Sequence, residues 1–172
     1  LNSVRIRTNG YSKCKLNTCT ESFEIQDHVK FTNSKSTTVF KVSVQQPGIT
    51  MYIANDGDLQ SSRPGNGGMR LLSYQSVEDA IADSVRLAEG MTRKHNMYNT
   101  GFSGAKLVVN HGNIALEEVD RNGLMNDCAK ALKSLDGTIY TGCDLNTNDD
   151  DMQNLIDQTP YVLAGIGSDV DT

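Results

Sequence analysis

Lys94 and Lys106 stand twelve positions apart on either side of a glycine-bearing turn, with Gly67-Gly68 upstream and Asp144 downstream. Amines and a carboxylate are the groups that bind anions and move protons. A lysine that stays charged is a point-charge partner for an anion. One that is buried beside another cation such as Lys94 has a depressed pKa, spends part of its time neutral and can take a proton. An aspartate can exchange protons with an amine and favours developing positive charge, and glycine, lacking a Cβ, lets a backbone approach its neighbour closely. Each residue also has a plainer explanation. Lysine in a last helical turn complements the dipole, lysine entering a strand is commonly a solvated edge charge, and Gly-Gly commonly marks a turn. Met91, one turn before Lys94, suits either a core or a pocket wall.

The surrounding pattern supplies elements to carry these groups. Alternation over 39–44 and 49–53, with Pro47-Gly48 between, predicts a β-hairpin. The stretch from Asn55 to Gly68, with Pro64 and four glycines, reads as a loop. Ser76 followed by Asp79 caps a helix in which Val77, Ala80, Ile81, Ser84, Val85, Ala88 and Met91 recur at helical spacing, ending near Lys94. Ala105 to Val109 is a short buried-strand pattern. Asp120 can cap a second helix with Leu124, Cys128, Ala131 and Leu135 on its apolar face, stopped by Asp136-Gly137. Thr138–Thr141 reads as a strand, Thr147 as the cap of a third helix through Asp149–Asp151 and Ile156, and Tyr161–Leu163 as a last strand. Strands alternating with helices predict an α/β fold, a sheet with helices packed on its faces. Residues 1–38 are polar, with alternation at Val4 and Ile6 before the turn pair Asn9-Gly10, and read as an edge hairpin or an N-terminal arm.

Composition narrows the partners. A chain of 172 residues is one domain, or one and a small appendage. The net charge of −5, with scattered basic residues, argues against nucleic acid. No apolar run approaches the roughly 20 residues of a membrane helix, so no membrane is expected, and without a secretory signal the cytoplasm is the default location. Cys14, Cys19, Cys128 and Cys143 form no CxxC pair and have no His at zinc spacing, so no metal is expected. Cys128 reads as a buried thiol, while Cys14 and Cys19 could pair. Asp144-Leu-Asn146-Thr-Asn148 begins like a calcium loop, but Asp149 and Leu155 occupy the positions of the required Gly and Glu. Gly165-Ile166-Gly167 looks like part of a dinucleotide turn, with only five residues behind it where a helix is needed.

Four segments taken together, Asn66–Arg70, Arg86–Lys94, Ser103–Val109 and Thr141–Thr147, resemble in order and spacing the substrate and oligomerisation domain of the Glu/Leu/Phe/Val amino acid dehydrogenases, and most closely the leucine branch. The resemblance runs from about Val39 to Gly165 and gives a division into an arm over 1–38 and the dehydrogenase-like domain over 39–172. It implies a mixed β-sheet with helices on its faces, without a Rossmann domain. It also implies oxidative deamination of an L-amino acid to a 2-oxo acid with NAD or NADP, the coenzyme being bound by a domain not present here, and a homo-oligomer. By the same resemblance Lys94 anchors the substrate carboxylate, Lys106 is the catalytic lysine, Asp144 exchanges protons with the reacting amino group, and Gly67, Gly68 and Met91 line the substrate site. The family usually carries Gly-Gly-Gly-Lys where Ser103-Gly104-Ala105-Lys106 stands, which predicts a partly obstructed backbone approach. Asn146 replaces a common glycine. Asn66 stands where glutamate-specific members carry lysine, which favours a neutral substrate side chain. The competing expectation is a non-catalytic relic used for self-association or amino acid binding.

Overall fold

A computed structural model describes residues 7–8, 26–33, 35–59 and 61–163, with the backbone alone for 7–8, 26–33 and 35–36. Among them, seven strands form one sheet: β1 (Arg7–Thr8), β2 (Gln26–Asn33), β3 (Lys35–Val42), β4 (Thr50–Asp56), β5 (Gly65–Leu72), β6 (Ser103–Asn110) and β7 (Ile139–Cys143). The order is β1-β2-β3-β4-β6-β5-β7. Pairings are antiparallel from β1 through β4 to β6, and parallel between β6, β5 and β7. Three α-helices, α1 (Val77–Tyr98), α2 (Arg121–Ser134) and α3 (Asp149–Ile156), and a single 3-10 turn at Leu116–Glu118 complete the described fold.

Two apolar layers follow from the strand period of two. Met51, Ile53, Met69, Leu71, Leu107 and Val109 point to one face, where they meet α2 and α3 through Leu124, Cys128, Leu132, Met152 and Leu155. Tyr52, Ala54 and Val108 point to the other, where α1 closes over them with Ala80, Ile81 and Ala88. α1 lies very close to β6. A Cβ on Gly104 would fall 2.0 Å from the Ala88 carbonyl oxygen and 2.3 Å from the Thr92 nitrogen, so this glycine sets the depth at which the helix sits. The Gly104 N–H donates to Thr92 Oγ1 at 2.9 Å, and Thr92 Oγ1 donates to the Asp56 carbonyl at 3.1 Å, tying helix, β6 and β4 together.

The capping signals at Ser76 and Asp120 behave as read. Ser76 accepts from the Asp79 N–H, and Asp120 from the Gly123 N–H. Elsewhere the structure departs from the pattern. α1 continues past Lys94 to Tyr98, because Asn99 in the left-handed region (φ 48°), rather than a glycine, ends it. α3 is capped by Asn148, not Thr147, through a reciprocal capping box with Asp151. The expected last strand reduces to a bridge between Thr141 and Val162. The largest departure concerns the supposed loop from Asn55 to Gly68. β5 begins at Gly65, so Gly67 and Gly68 sit inside a parallel strand and form no turn. Close neighbours on both sides demand glycine there, and that demand overrides low strand propensity. The expected turn at Asn9-Gly10, the possible Cys14–Cys19 pairing and the segment Gly165–Gly167 lie outside the described residues.

Candidate active site

The face of the sheet covered by α1 gathers the charged residues. On β5 the side chains of the even-numbered residues Asn66 and Arg70 point to this face, and on β6 so does that of Lys106. Asp144 follows β7 directly. The Lys106 ammonium is ion-paired with Asp144 Oδ2. Arg70 Nε donates to the same oxygen at 3.0 Å, and Arg70 Nη1 reaches Asp83 Oδ2 on α1 at 3.3 Å. Asp83 is held in turn by the Tyr74 hydroxyl at 2.7 Å and by Arg86 Nη2 at 2.5 Å. A continuous chain therefore runs from the middle of α1 through Arg70 to the Lys106–Asp144 pair. Asp144 Oδ1 has no protein partner among the described residues.

Burial decides the electrostatics. The Lys106 side chain is 6% exposed, against 30% for Asp144 and 20% for Arg70. Burial pushes the Lys106 amine below its usual range despite the opposing pull of Asp144, and the Arg70 cation pushes it further down. Burial alone would raise the Asp144 carboxyl, but Lys106 and Arg70 together hold it below the usual carboxylate range. Asp83 is likewise held down, by Tyr74, Arg86 and Arg70 against the effect of burial.

The loop carrying Asp144 is fastened from three sides. The Asp144 N–H donates to Thr147 Oγ1 at 2.9 Å, and the Thr147 N–H returns to the Asp144 carbonyl at 3.1 Å. The Leu71 N–H donates to the Leu145 carbonyl at 3.0 Å and Asn146 Nδ2 donates to the Leu71 carbonyl at 2.9 Å, stitching the loop onto β5. Asn146 adopts φ 60°, a left-handed conformation that asparagine tolerates. Arg121, at the start of α2, grips Asp151 and the Asn146 carbonyl and closes the third side.

The remaining sequence candidates separate. Gly68 lies under Asp144, and a Cβ there would fall 2.8 Å from both Asp144 Cβ and the Cys143 carbonyl oxygen. Its absence lets Asp144 lean across β5 to Lys106. Gly67 is buried toward α2 and α3, on the opposite side of the sheet from Lys106; its Cβ would meet the Ala105 carbonyl oxygen at 1.6 Å. Ala105 also packs among the residues of that opposite core, so its methyl obstructs nothing on the Lys106 side. Lys94 is exposed in the last turns of α1 and has no ion-pair partner among the described residues. Steps of four, three and four residues place Asp83, Leu87, Gly90 and Lys94 on one flank of the helix, the flank from which Asp83 meets Arg70. Met91 is half-buried beside that stripe. The cation coupled to Lys106 is Arg70 rather than Lys94, and Arg70, Asp83 and Tyr74 are the residues that sequence reasoning passed over. For Arg70 the signal is the period of two on β5, which puts it on the same face of the sheet as Lys106 once the glycines are read as strand.

A family model for the Glu/Leu/Phe/Val dehydrogenase dimerisation domain matches residues 40–161. The chain belongs to this family. Phenylalanine dehydrogenase of Lysinibacillus sphaericus is 34% identical over 100 residues, 58% of this chain and 25% of that protein. Leucine dehydrogenase of Bacillus subtilis is 34% identical over 102 residues, 59% of this chain and 27% of that protein. The crystal structure of L-tryptophan dehydrogenase from Nostoc punctiforme superposes with a TM-score of 0.62 at 29% identity, covering 72% of this chain and 35% of that one. A hetero-hexameric glutamate dehydrogenase from Thermus thermophilus shares the fold, with a TM-score of 0.53 at 19% identity, over 71% of this chain and 30% of that one. The chain spans about a quarter of the length of these curated dehydrogenase relatives. The family implies a nicotinamide coenzyme. Among the described residues no glycine-rich turn leads from a strand into a helix, so none of them forms a pyrophosphate cradle of that kind. Nor does any group of three or more His, Cys, Asp or Glu side chains there suit a metal ion. No helix among them is long and apolar enough to cross a membrane.

Proposed function

We propose that this chain is the substrate-binding and oligomerisation domain of an NAD(P)-dependent L-amino acid dehydrogenase acting on a neutral side chain. The observation that carries the reading is the buried Lys106 amine held against Asp144 on the floor of the α1 face. Such an amine loses its proton more readily than a solvated lysine, so it can take one from water or from the substrate amine. Asp144, held ionised by two cations, offers Oδ1 to a substrate ammonium and favours positive charge developing at that nitrogen. Lys94, exposed and unpaired on the same flank of α1, is the carboxylate anchor, with Met91 on the wall beside it. Gly68 leaves room for the reacting groups, and Gly67 acts from the far side by letting β5 and β6 close up. Asn66 carries no charge for a substrate carboxylate, which supports a neutral side chain. The coenzyme, which supplies the hydride acceptor when bound, belongs to a separate domain; without it these residues perform only the proton and binding steps.

Calorimetry tests the reading. Titration with L-leucine, L-phenylalanine and the matching 2-oxo acids gives saturable heat that Lys94→Ala abolishes, with L-glutamate binding more weakly. Absence of heat for every ligand, or a preference for glutamate, refutes it. On addition of NAD+ and these amino acids, the 172 residues alone produce no NADH absorbance.

A further inference from the structure

Asp144 has two oxygens, and the two cations use only one of them. Lys106 and Arg70 both take Oδ2, and Oδ1 is left without a protein partner among the described residues. A carboxylate gripped by a single cation can rotate about its last bond; gripped on one oxygen from two directions, it has one orientation. Arg70 is itself fixed, because its Nη1 is tied to Asp83, and Asp83 is secured by Tyr74 and Arg86. Planar guanidinium geometry suits this task, since Nε and Nη1 reach two carboxylates at once where a lysine would reach one.

We propose that Arg70 is a positioning residue for the Lys106–Asp144 pair: anchored to α1 through Asp83, it takes Asp144 Oδ2 alongside Lys106 and thereby turns Oδ1 toward an incoming ammonium group. The role rests on the substrate site proposed above and deepens it. Positive charge at Arg70 also crowds the Lys106 ammonium, and negative charge at Asp83 relieves it. The charged or titratable groups that the elements packed around Lys106 carry include Asp144 after β7, Arg70 on β5, Tyr74 before α1, Asp83, Lys94 and His95 on α1, and Tyr52 and Asp56 on the same face of β4. Of these, Asp144, Arg70 and Asp83 act on the amine. Removing Arg70 and removing Asp83 must therefore move Lys106 in opposite directions. A merely structural role would admit water in both variants and move the amine the same way, toward ordinary lysine.

The experiment is competitive trace labelling with acetic anhydride, read by mass spectrometry at Lys106 on the full chain without ligand, from about pH 6 to about pH 11. The expected result is a midpoint raised by about one pH unit in Arg70→Gln, lowered in Asp83→Asn, and returned toward wild type in Arg70→Lys, which restores the charge. An unchanged midpoint in Arg70→Gln, or shifts of one sign in both Arg70→Gln and Asp83→Asn, overturns the proposal. If Arg70→Gln loses the fold, Asp83→Asn and Arg70→Lys decide it alone, and an upward shift in Asp83→Asn is then the refuting result. The same variants separate orientation from charge. L-leucine affinity falls about tenfold in Arg70→Lys while that of its 2-oxo acid, which has no ammonium, is unchanged; equal losses overturn the orientation claim. If neither ligand binds the wild-type chain, the proposed function falls while the labelling midpoints still judge Arg70.

Discussion

Replacing Lys106 by methionine separates what the pair contributes to folding from what it contributes to chemistry. The Lys106 side chain is 6% exposed, so its charge has left water almost entirely, and its partner Asp144 is 30% exposed and has a second cation, Arg70, at 3.0 Å. Desolvating an ammonium costs several kcal/mol, which the attraction of a half-solvated carboxylate only partly offsets, and replacing buried ion pairs by apolar groups of similar volume is often neutral or stabilising. Lys106→Met is therefore expected to leave stability unchanged or raise it by about 1–2 kcal/mol, a gain of roughly 2–4 °C in melting temperature per kcal/mol for a chain of this size. Asp144→Asn does the opposite. It leaves the buried amine without a counter-ion and is expected to cost about 2–3 kcal/mol, below the usual figure for a buried pair because Asp144 is partly solvated. The double variant recovers most of that loss, because the stranded charge is gone. Thermal and urea unfolding of the four proteins at neutral pH, followed by circular dichroism, completes the cycle. If Lys106→Met alone costs more than about 2 kcal/mol, the pair is a stabilising element of the fold; if Asp144→Asn costs nothing, the Lys106 ammonium is not stranded by the loss of its partner and is not desolvated as described.

Further expectations follow from the same geometry. Gly68→Ala places a methyl 2.8 Å from Asp144 Cβ and is expected to cost about 1–3 kcal/mol. Gly67→Ala, whose Cβ would lie 1.6 Å from a backbone oxygen, costs more than Gly68→Ala; urea midpoints in the reverse order would contradict the strand placement. Because the folded Lys106 amine lies below its ordinary range, the unfolded chain binds the extra proton at alkaline pH, and stability must rise between the folded value and the ordinary lysine value. The stability difference between Lys106→Met and wild type therefore shrinks as pH rises from neutrality through that window, and a constant difference would show that the amine is not desolvated. Asp144 works with the other sign. Its depressed carboxyl stabilises the fold above the ordinary carboxylate range, and that contribution is lost as pH falls through the folded value, so acid midpoints of wild type and Asp144→Asn converge. Cys128 is fully buried and its thiol is pushed up to about 12, whereas Cys143 is exposed. A thiol reagent followed by peptide mapping should modify Cys143 and leave Cys128 untouched until the protein unfolds; early labelling of Cys128 would show a loose α2 packing.

The elements most legible in the sequence were those whose ends are written in side chains. Ser76 and Asp120 each place an oxygen where a helix begins, and the structure uses both. The apolar face of α2 at Leu124, Cys128 and Ala131 follows from spacing alone. β5 was illegible for a physical reason. A strand with glycines at its centre and an asparagine and an arginine on one face carries too few of the apolar and β-branched residues by which strands are recognised, and its two glycines answer to atoms far away in the chain, the Ala105 carbonyl and Asp144. Thr147 reads as a cap because threonine suits one and three acids follow at 149–151, yet its hydroxyl serves the Asp144 turn and leaves Asn148 to cap.

Reading β5 as a loop hides the arginine that holds Asp144. Read as a turn, the segment Asn66–Arg70 offers two flexible glycines and an incidental arginine; read as a strand, it places Arg70 two residues beyond Gly68 on the same face and so beside Lys106 and Asp144. Lys94 then loses the task of lowering Lys106, which burial performs with Arg70 adding to it, and stands exposed without an ion-pair partner among the described residues. Under the proposed function, the two jobs assigned to neighbouring lysines divide among three cations: Lys106 for the proton, Arg70 to hold its partner, and Lys94, exposed, for the ligand. This division makes a demand that one lysine pair could not meet. Binding a carboxylate at Lys94 is expected to leave Lys106 nearly unperturbed, because burial, Asp144 and Arg70, not Lys94, shift its proton affinity. Saturating the protein with a 2-oxo acid while labelling Lys106 checks it: a midpoint that stays put supports the division, and one that climbs by about a unit returns the role to Lys94.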